Sequence, residues 1–179
     1  MSIQIFILSK LMKGNSYPYE LEKQLSNPVP LNTFAGLTES KLSYHFESLV
    51  KQGLIEPAGV MIEENSSERQ VFAITEKGRE ELPKRIYRLL DGAKNITDMV
   101  LGLANLKYVD REKVVEILKQ KLESRIARRE RVEEIRRQAP IDKENEPLVD
   151  LIGKYMKTKG EHTIEWLEEL IEEIRQGHI

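Results

Sequence analysis

The 179-residue chain contains no cysteine, so it offers neither disulfides nor thiolate ligands for a metal. This absence predicts an intracellular, cytoplasmic location. Aromatic residues make up only 6% of the sequence, which favours a helical protein packed with Leu, Ile and Val over a β-sandwich. No apolar run approaches the roughly 20 residues that span a bilayer, and the apolar N-terminus lacks a signal-peptide pattern. We therefore expect a helical protein outside the membrane.

The sequence also lacks a strong charge of one sign. Its formal net charge is −2: residues 1–80 hold 8 basic and 10 acidic residues, and residues 81–179 hold 20 of each. Domains that bind nucleic acids are usually strongly basic. The charge balance therefore argues against a DNA-binding function, and other observations must outweigh it.

Motifs for catalysis, metal binding and cofactor binding are missing as well. The three histidines, His45, His162 and His178, form no pair at metal-ligand spacing. The sequence contains no G-x-S-x-G, no G-x-x-x-x-G-K-[ST] and no G-x-G-x-x-G. The sequence predicts no enzyme, no metal site and no cofactor.

Three short helices and a hairpin are predicted in the first half. Helices are expected at about Ile3–Met12, around Leu21, and after Thr38, which is placed as an N-cap. Two strands, 54–62 and 70–75, flank the polar loop "EENSSER", and a further helix follows. Helix, helix, helix and hairpin in this order are typical of a winged helix-turn-helix.

The second half is predicted to be helical throughout. We expect one segment over Ile86–Asn105, a helix from Asp110 to Gln138, and a last helix to about Gln176 that is roughly 45 Å long. That length exceeds what a small domain covers, so a partner chain is expected. The fold prediction is mainly α with a small β-hairpin, with a winged helix-turn-helix at 1–82 and an antiparallel long-helix dimerisation domain at 83–179. The residues predicted to pack against the partner subunit are Trp166, Leu167, Leu170, Ile171 and Ile174.

The third helix has a polar outer face that bears on function. Leu42, Phe46 and Leu49 form its apolar stripe, and the opposite side carries hydroxyls, a cation and an aromatic hydroxyl near the helix start. Such groups bind phosphates or base edges when a recognition helix enters the major groove, although a solvated surface helix looks the same. His45 lies near the core boundary and is interpreted as a packing residue. The residues predicted to contact double-stranded DNA are Thr38, Ser40, Lys41, Ser43, Tyr44 and, from the wing, Arg69.

Several motifs together resemble the PadR family of winged-helix transcriptional regulators along nearly the whole chain. "ILSKLMKGNSYPYELEKQL" is similar to the opening helix pair, and "LVKQGLIEP" is similar to the end of the recognition helix. "RQVFAITEKGREEL" resembles the last wing strand and the helix after it. "DMVLGLANLKYVDREKVVEIL" and "HTIEWLEELIEEI" resemble the helical dimerisation domain. The positions that match in the wing motif are Arg69, Thr75, Glu76, Gly78 and Arg79.

The chain departs from the family at three places. Pro18 replaces the glycine before Tyr19, and Leu42-Ser43-Tyr44 replaces the family's Leu-Tyr-Pro. The wing loop is acidic. The resemblance implies a homodimeric transcriptional repressor that binds operator DNA and is released by a small molecule of unknown identity. The alternative is a winged-helix adaptor that binds another protein and no specific DNA sequence.

Overall fold

Helices dominate the residues that the structure, a computed structural model, describes: 2–25, 39–62, 68–138 and 144–179. The chain divides into two compact units, Met1–Val109 and Asp110–Ile179. The elements of the first unit are α1 (Ser2–Leu11), α2 (Pro18–Leu25), α3 (Glu39–Lys51), β1 (Ile55–Ile62), β2 (Glu68–Ile74), α4 (Glu76–Gly92), α5 (Ile96–Leu103) and a 3-10 turn (Leu106–Tyr108). Those of the second are α6 (Arg111–Gln138) and α7 (Glu146–Gln176).

Helix α1 lies at the centre of the first unit. Five successive residues, Ile5 to Ser9, are buried, so the helix is surrounded on most sides rather than exposing a polar face. It packs against α3, α4 and α5. The helix that the pattern placed at Ile3–Met12 is therefore found at nearly the same bounds.

Helix α3 packs through the apolar stripe that the sequence indicated. Leu42, Phe46 and Leu49 are all buried, at the i, i+4, i+7 spacing of one helix face. The helix ends at Lys51, and Gly53 follows with a φ of +69°, the left-handed conformation that favours glycine after a helix. The predicted cap Thr38 lies outside the described residues.

A buried arginine joins three helices of this unit. Arg85 on α4 donates to the side-chain oxygens of Gln4 on α1 and, at 2.6 Å, of Gln52 just after α3. Its Nε lies 3.5 Å from the carboxylate of Glu81 one turn earlier. Because a buried charge without partners is costly, this network holds the C-terminal end of α3 in place against α1 and α4.

The two strands form an antiparallel hairpin, as predicted. A third segment joins it at one point: Ser16 and Phe72 exchange two backbone hydrogen bonds, of 3.1 and 2.9 Å. The Phe72 ring also lies against Phe46 of α3, with centroids 5.1 Å apart. The hairpin is thereby tied both to α3 and to the start of α2. These contacts give the first unit the winged helix-turn-helix arrangement expected from the sequence.

The prediction of a single helical segment over Ile86–Asn105 is wrong. Helix α4 ends at Gly92, Ala93 takes an extended backbone with ψ of 126°, and α5 begins after Asn95. The Asp98 carboxylate accepts the backbone N–H of Asn95 at 3.0 Å, which stabilises the new helix start. Helix α4 itself passes through Pro83 without a break.

The second unit is a pair of long helices that run in opposite directions. Arg111, the first residue of α6, lies beside Gly177, which follows the end of α7. Asp110 caps α6 as predicted, since its carboxylate accepts the backbone N–H of Glu112 at 2.8 Å. Helix α7 continues through Gly160 for 31 residues. Buried residues from both helices form the core: Val114, Val115, Leu118, Ile164, Leu167, Leu170, Ile171 and Ile174.

The helix pair exposes large apolar side chains at the end away from Arg111 and Gly177. They come from the C-terminal half of α6 and the N-terminal half of α7, which the antiparallel arrangement brings to the same end. We call this set the distal apolar surface: Val132, Ile135, Leu148, Leu151, Ile152, Tyr155 and Met156. Patches of this kind usually mark an interaction site.

Candidate nucleic-acid interface

Tyr44 is the most prominent residue on the outer face of α3. It is 67% exposed although its neighbours at positions 42 and 46 are buried. Ser43 is half-buried beside it, and Glu47 lies exposed one turn further along. The buried stripe orients the helix, so the ring and hydroxyl of Tyr44 stand clear of the core. The exposure of Tyr44 agrees with the outer face predicted for this helix, while its contact with DNA stays a prediction.

For the other residues predicted on this face, the structure describes the backbone at most. The backbones of Ser40 and Lys41 belong to the first turn of α3, while their side chains lie outside the described part of the chain. Thr38 lies outside it entirely. The backbone places Lys41 one position before the buried Leu42, at the N-terminal end that enters a groove in helix-turn-helix proteins.

His45 lies at the boundary between this face and the core. Its ring packs edge-on to Tyr44, with centroids 5.3 Å apart, and its Nδ1 is buried without a hydrogen-bond partner among the described residues. Burial lowers the pKa of His45 below its usual value, so the neutral ring is favoured. A neutral, half-buried imidazole fits the packing role that was expected of it.

Arg69, the cation predicted to contact DNA from the wing, lies on strand β2. It occupies the second position of β2, opposite Met61 of β1, and is half-buried. Its guanidinium carbon lies 5.4 Å from the centroid of the Tyr19 ring on α2. The structure thus places the predicted wing cation close to the Tyr19 ring of α2.

Lys23 is a cation near this interface that the sequence analysis missed. Its Nζ lies 4.3 Å from the centroid of the same Tyr19 ring. The signal available in the sequence was the i, i+4 spacing of Tyr19 and Lys23 on a helix. Nothing in the sequence indicated that Arg69, from a distant strand, would reach the same ring.

The residues predicted at the dimer interface occupy one stretch of α7. Leu167, Leu170, Ile171 and Ile174 are buried within the single chain, and Trp166 is half-buried. Their assignment to an interface stays a prediction. The predicted division at residue 82 also stays a functional proposal, while the compact units divide between Val109 and Asp110.

No group of three His, Cys, Asp or Glu side chains within the described ranges could hold a metal ion. No helix in those ranges has the length and apolar content to cross a membrane.

Comparisons with known proteins give structural likenesses only. No family model matches the chain, and no curated protein matches it in sequence. Bacillus subtilis PadR in complex with operator DNA is 17% identical, with 97% of this chain and 99% of that one covered and a TM-score of 0.44. The same protein in complex with p-coumaric acid is 16% identical, with 98% and 99% covered and a TM-score of 0.42. A PadR-like transcriptional regulator from Bacillus cereus is 18% identical, with 97% and 96% covered and a TM-score of 0.40. These three solved structures, of PadR and of a PadR-like transcriptional regulator, are similar to this chain along nearly its whole length.

Proposed function

We propose that this chain is a DNA-binding transcriptional regulator of the PadR type, acting as a homodimeric repressor. The observation that carries the proposal is the exposed Tyr44 on α3, a helix oriented by its buried stripe and followed by a hairpin tied to α2. Winged helix-turn-helix proteins present the corresponding helix to the major groove.

In this proposal, two groups of residues on α3 and at its start contact different parts of the DNA. Tyr44 and Ser43 supply hydroxyls, and Tyr44 also supplies a ring, for base edges and thymine methyl groups. Lys41, Ser40 and Thr38, nearer the helix start, hold phosphates. Base contacts give sequence specificity, whereas phosphate contacts fix the register of the helix on the duplex.

The slightly acidic charge of residues 1–80 predicts weak binding to arbitrary sequences. Neutral donors compensate in part, because hydroxyls and backbone N–H groups also hold phosphates. A second subunit doubles the number of contacts. The proposal therefore includes a homodimer whose interface contains the distal apolar surface and extends along α7 towards Trp166.

DNA binding is tested by a mobility shift on the region upstream of the chain's own gene, in low and moderate salt. We expect Tyr44→Ala to weaken specific binding by roughly 1–3 kcal/mol with little effect on other duplexes. Lys41→Ala is expected to weaken binding to every duplex and to lower the salt slope by about 1 per subunit.

The double variant Lys41→Ala/Tyr44→Ala gives the deciding result. Its melting temperature should equal that of the wild type, because Tyr44 is mostly exposed. Glu47→Gln is the matched control on the same face, and it should bind at least as well as the wild type because a carboxylate repels phosphates. Unchanged DNA affinity in the double variant would show that α3 does not face DNA.

Release by a small molecule is part of the proposal because the family resemblance implies it. Trp166, the single tryptophan, is half-buried on α7 and reports on any cavity formed there. We expect planar aromatic compounds to quench its fluorescence saturably and to weaken the mobility shift at the same concentrations. No response across a broad set would leave Trp166 as a packing residue and remove the effector from the proposal.

One observation favours the adaptor as a second candidate. Strand β1 exposes Val60, Met61 and Ile62, of which Ile62 is 71% exposed. An apolar strand suits a protein partner better than a phosphate backbone. The adaptor replaces the DNA-binding proposal if the wild type shifts no duplex at low salt.

A further inference from the structure

Helix α7 carries a second apolar face beside the one that packs on α6. Leu148, Ile152 and Tyr155 are exposed, and Trp166 is half-buried. Their spacing keeps all four within about 60° of one another around the helix. The face that packs on α6 includes the buried Leu167, about 100° further round. An uncovered apolar face of this length indicates that a further helix packs there.

The two aromatic residues of this face lie at nearly equal distances from the middle of α7. The helix runs from Glu146 to Gln176, so residue 161 is its midpoint, with Tyr155 and Trp166 on either side. A second α7 that lies antiparallel to the first, with its midpoint at the same level, therefore places Tyr155 close to Trp166 of the partner subunit, and does so twice. Aromatic rings that meet attract each other beyond the area that they bury.

Charge is distributed unevenly along the second unit. Because Arg111 lies beside Gly177, the midpoint of α7 is level with about residue 127 of α6. The distal half, residues 128–138 and 144–160, holds 8 basic and 6 acidic residues, a net charge of +2. The proximal half, residues 110–127 and 161–179, holds 6 basic and 10 acidic residues, a net charge of −4. These counts include every carboxylate, whether or not it has a partner.

We propose that a second copy of this chain lies antiparallel along α7, so that Tyr155 of each copy packs against Trp166 of the partner subunit. This orientation rests on the homodimer of the proposed function and adds its geometry. The distal half of each copy then lies beside the proximal half of the other, and +2 faces −4 at both ends. Packed helices have axes about 8–10 Å apart, close to the screening length of about 8 Å at physiological salt. The opposite charges therefore attract across the interface.

Two other arrangements of the same helices bring like charges together. In a parallel dimer, +2 lies beside +2 and −4 beside −4. In a tip-to-tip dimer, in which only the distal apolar surfaces overlap, +2 again lies beside +2, and Trp166 stays outside the interface. Charge complementarity thus favours the antiparallel arrangement along the whole of α7.

Engineered cysteines test the orientation, since the chain has none of its own. His162 is exposed and lies one residue past the midpoint of α7. In the antiparallel dimer the two copies of His162→Cys are close together, so mild oxidation should give an intermolecular disulfide on a non-reducing gel. The two copies of Ile152→Cys lie roughly 27 Å apart along the helices and should stay reduced.

The disulfide pattern separates the arrangements. A parallel dimer cross-links through both cysteines, and a tip-to-tip dimer cross-links through Ile152→Cys alone. Either pattern, or a dimer that cross-links through neither, would overturn the antiparallel orientation while the homodimer stands. A wild-type chain that sediments as a monomer at micromolar concentration would instead overturn the homodimer of the proposed function.

Charge reversal tests the cause of the orientation. Arg128→Glu/Arg131→Glu changes the net charge of the distal half from +2 to −2, at two exposed positions. In the antiparallel dimer the dissociation constant should rise roughly tenfold at low salt, and the rise should fade near 1 M salt, where the screening length is about 3 Å. In the other two arrangements −2 beside −2 repels as +2 beside +2 does, so the constant should not change.

The matched control is Arg128→Lys/Arg131→Lys, which keeps both charges and should dimerise like the wild type. Sedimentation equilibrium measures all three proteins, and circular dichroism checks that their helical signal is the same. An unchanged dissociation constant in the Glu variant, or an equal loss in the Lys variant, would overturn the proposal.

Discussion

Gly78 shows how closely the first turn of α4 approaches the end of α3. A Cβ at this position would lie 2.1 Å from the backbone oxygen of Leu54 and 2.7 Å from Cγ1 of Ile74. Backbone atoms cannot retreat as a flexible side chain can, so the position accepts only glycine. The sequence motif contains this glycine, but only the structure shows that packing requires it.

We therefore expect Gly78→Ala to destabilise the chain by about 3 kcal/mol. Gly92→Ala is the matched control at the other end of the same helix, where nothing lies within 4 Å of the added Cβ. It should be neutral or stabilising by up to about 1 kcal/mol. Urea unfolding followed by circular dichroism measures both, and equal midpoints for the two variants would contradict the packing argument.

The burial or exposure of a side chain was predictable where it depends only on the helix that carries the residue. The buried Leu42 and Phe46 and the exposed Tyr44 follow from the 3.6-residue period, because each position depends on its own helix alone. The contact of Arg69 with Tyr19 was not predictable. It depends on the pairing of Ser16 with Phe72, a bridge of one residue that leaves no period in the sequence.

At the scale of elements, the break between α4 and α5 was missed for a physical reason. Leu90, Ala93 and Met99 are all buried, so apolar residues continue across the break and the pattern suggests one helix. The available signals were Gly92 and the spacing of Asn95 and Asp98, which matches a residue before a helix and an acidic residue in its first turn. The helix-stop signal at Gly92 and the helix-start signal at Asn95 therefore determined the structure here, although the apolar pattern continues across both.

Thr75 connects three elements through one hydroxyl. It accepts the backbone N–H of Gly78 at 3.1 Å, which caps α4, and it donates to the carbonyl of Gly53 at 2.8 Å, just after α3. Its own position follows the last residue of β2. The hydroxyl thus links the end of α3 to the hairpin and to the next helix.

Thr75→Ala should therefore cost about 1–2 kcal/mol from the lost cap, with a further contribution of about 1 kcal/mol from the second hydrogen bond. Thr75→Ser keeps the hydroxyl and should retain most of the stability. Thermal unfolding distinguishes the two. If serine and alanine destabilise equally, the methyl group rather than the hydroxyl is the stabilising feature.

At the scale of the whole molecule, the second unit buries one end of its helix pair and exposes the other. The long helices were predicted correctly, since their periodic patterns, the cap at Asp110 and the stop after Gln138 are local signals. Which apolar positions stay exposed was not predictable, because it depends on where α6 and α7 contact each other. The distal apolar surface is the result, and it is the part of this unit that a second subunit can cover without unfolding it.

The contrast between exposed and buried apolar residues on α7 allows a test of the homodimer. The double variant Leu151→Glu/Tyr155→Glu places charges where the side chains are 68% and 62% exposed, so it should yield a folded monomer in sedimentation with an unchanged helical signal. Leu170→Glu, the matched control on the same helix, buries a charge in the single chain and should unfold the second unit or aggregate. A wild-type monomer at micromolar concentration would contradict the homodimer. A double variant that stays dimeric would place the interface elsewhere on α7, where half-buried Trp166 is the next residue to change.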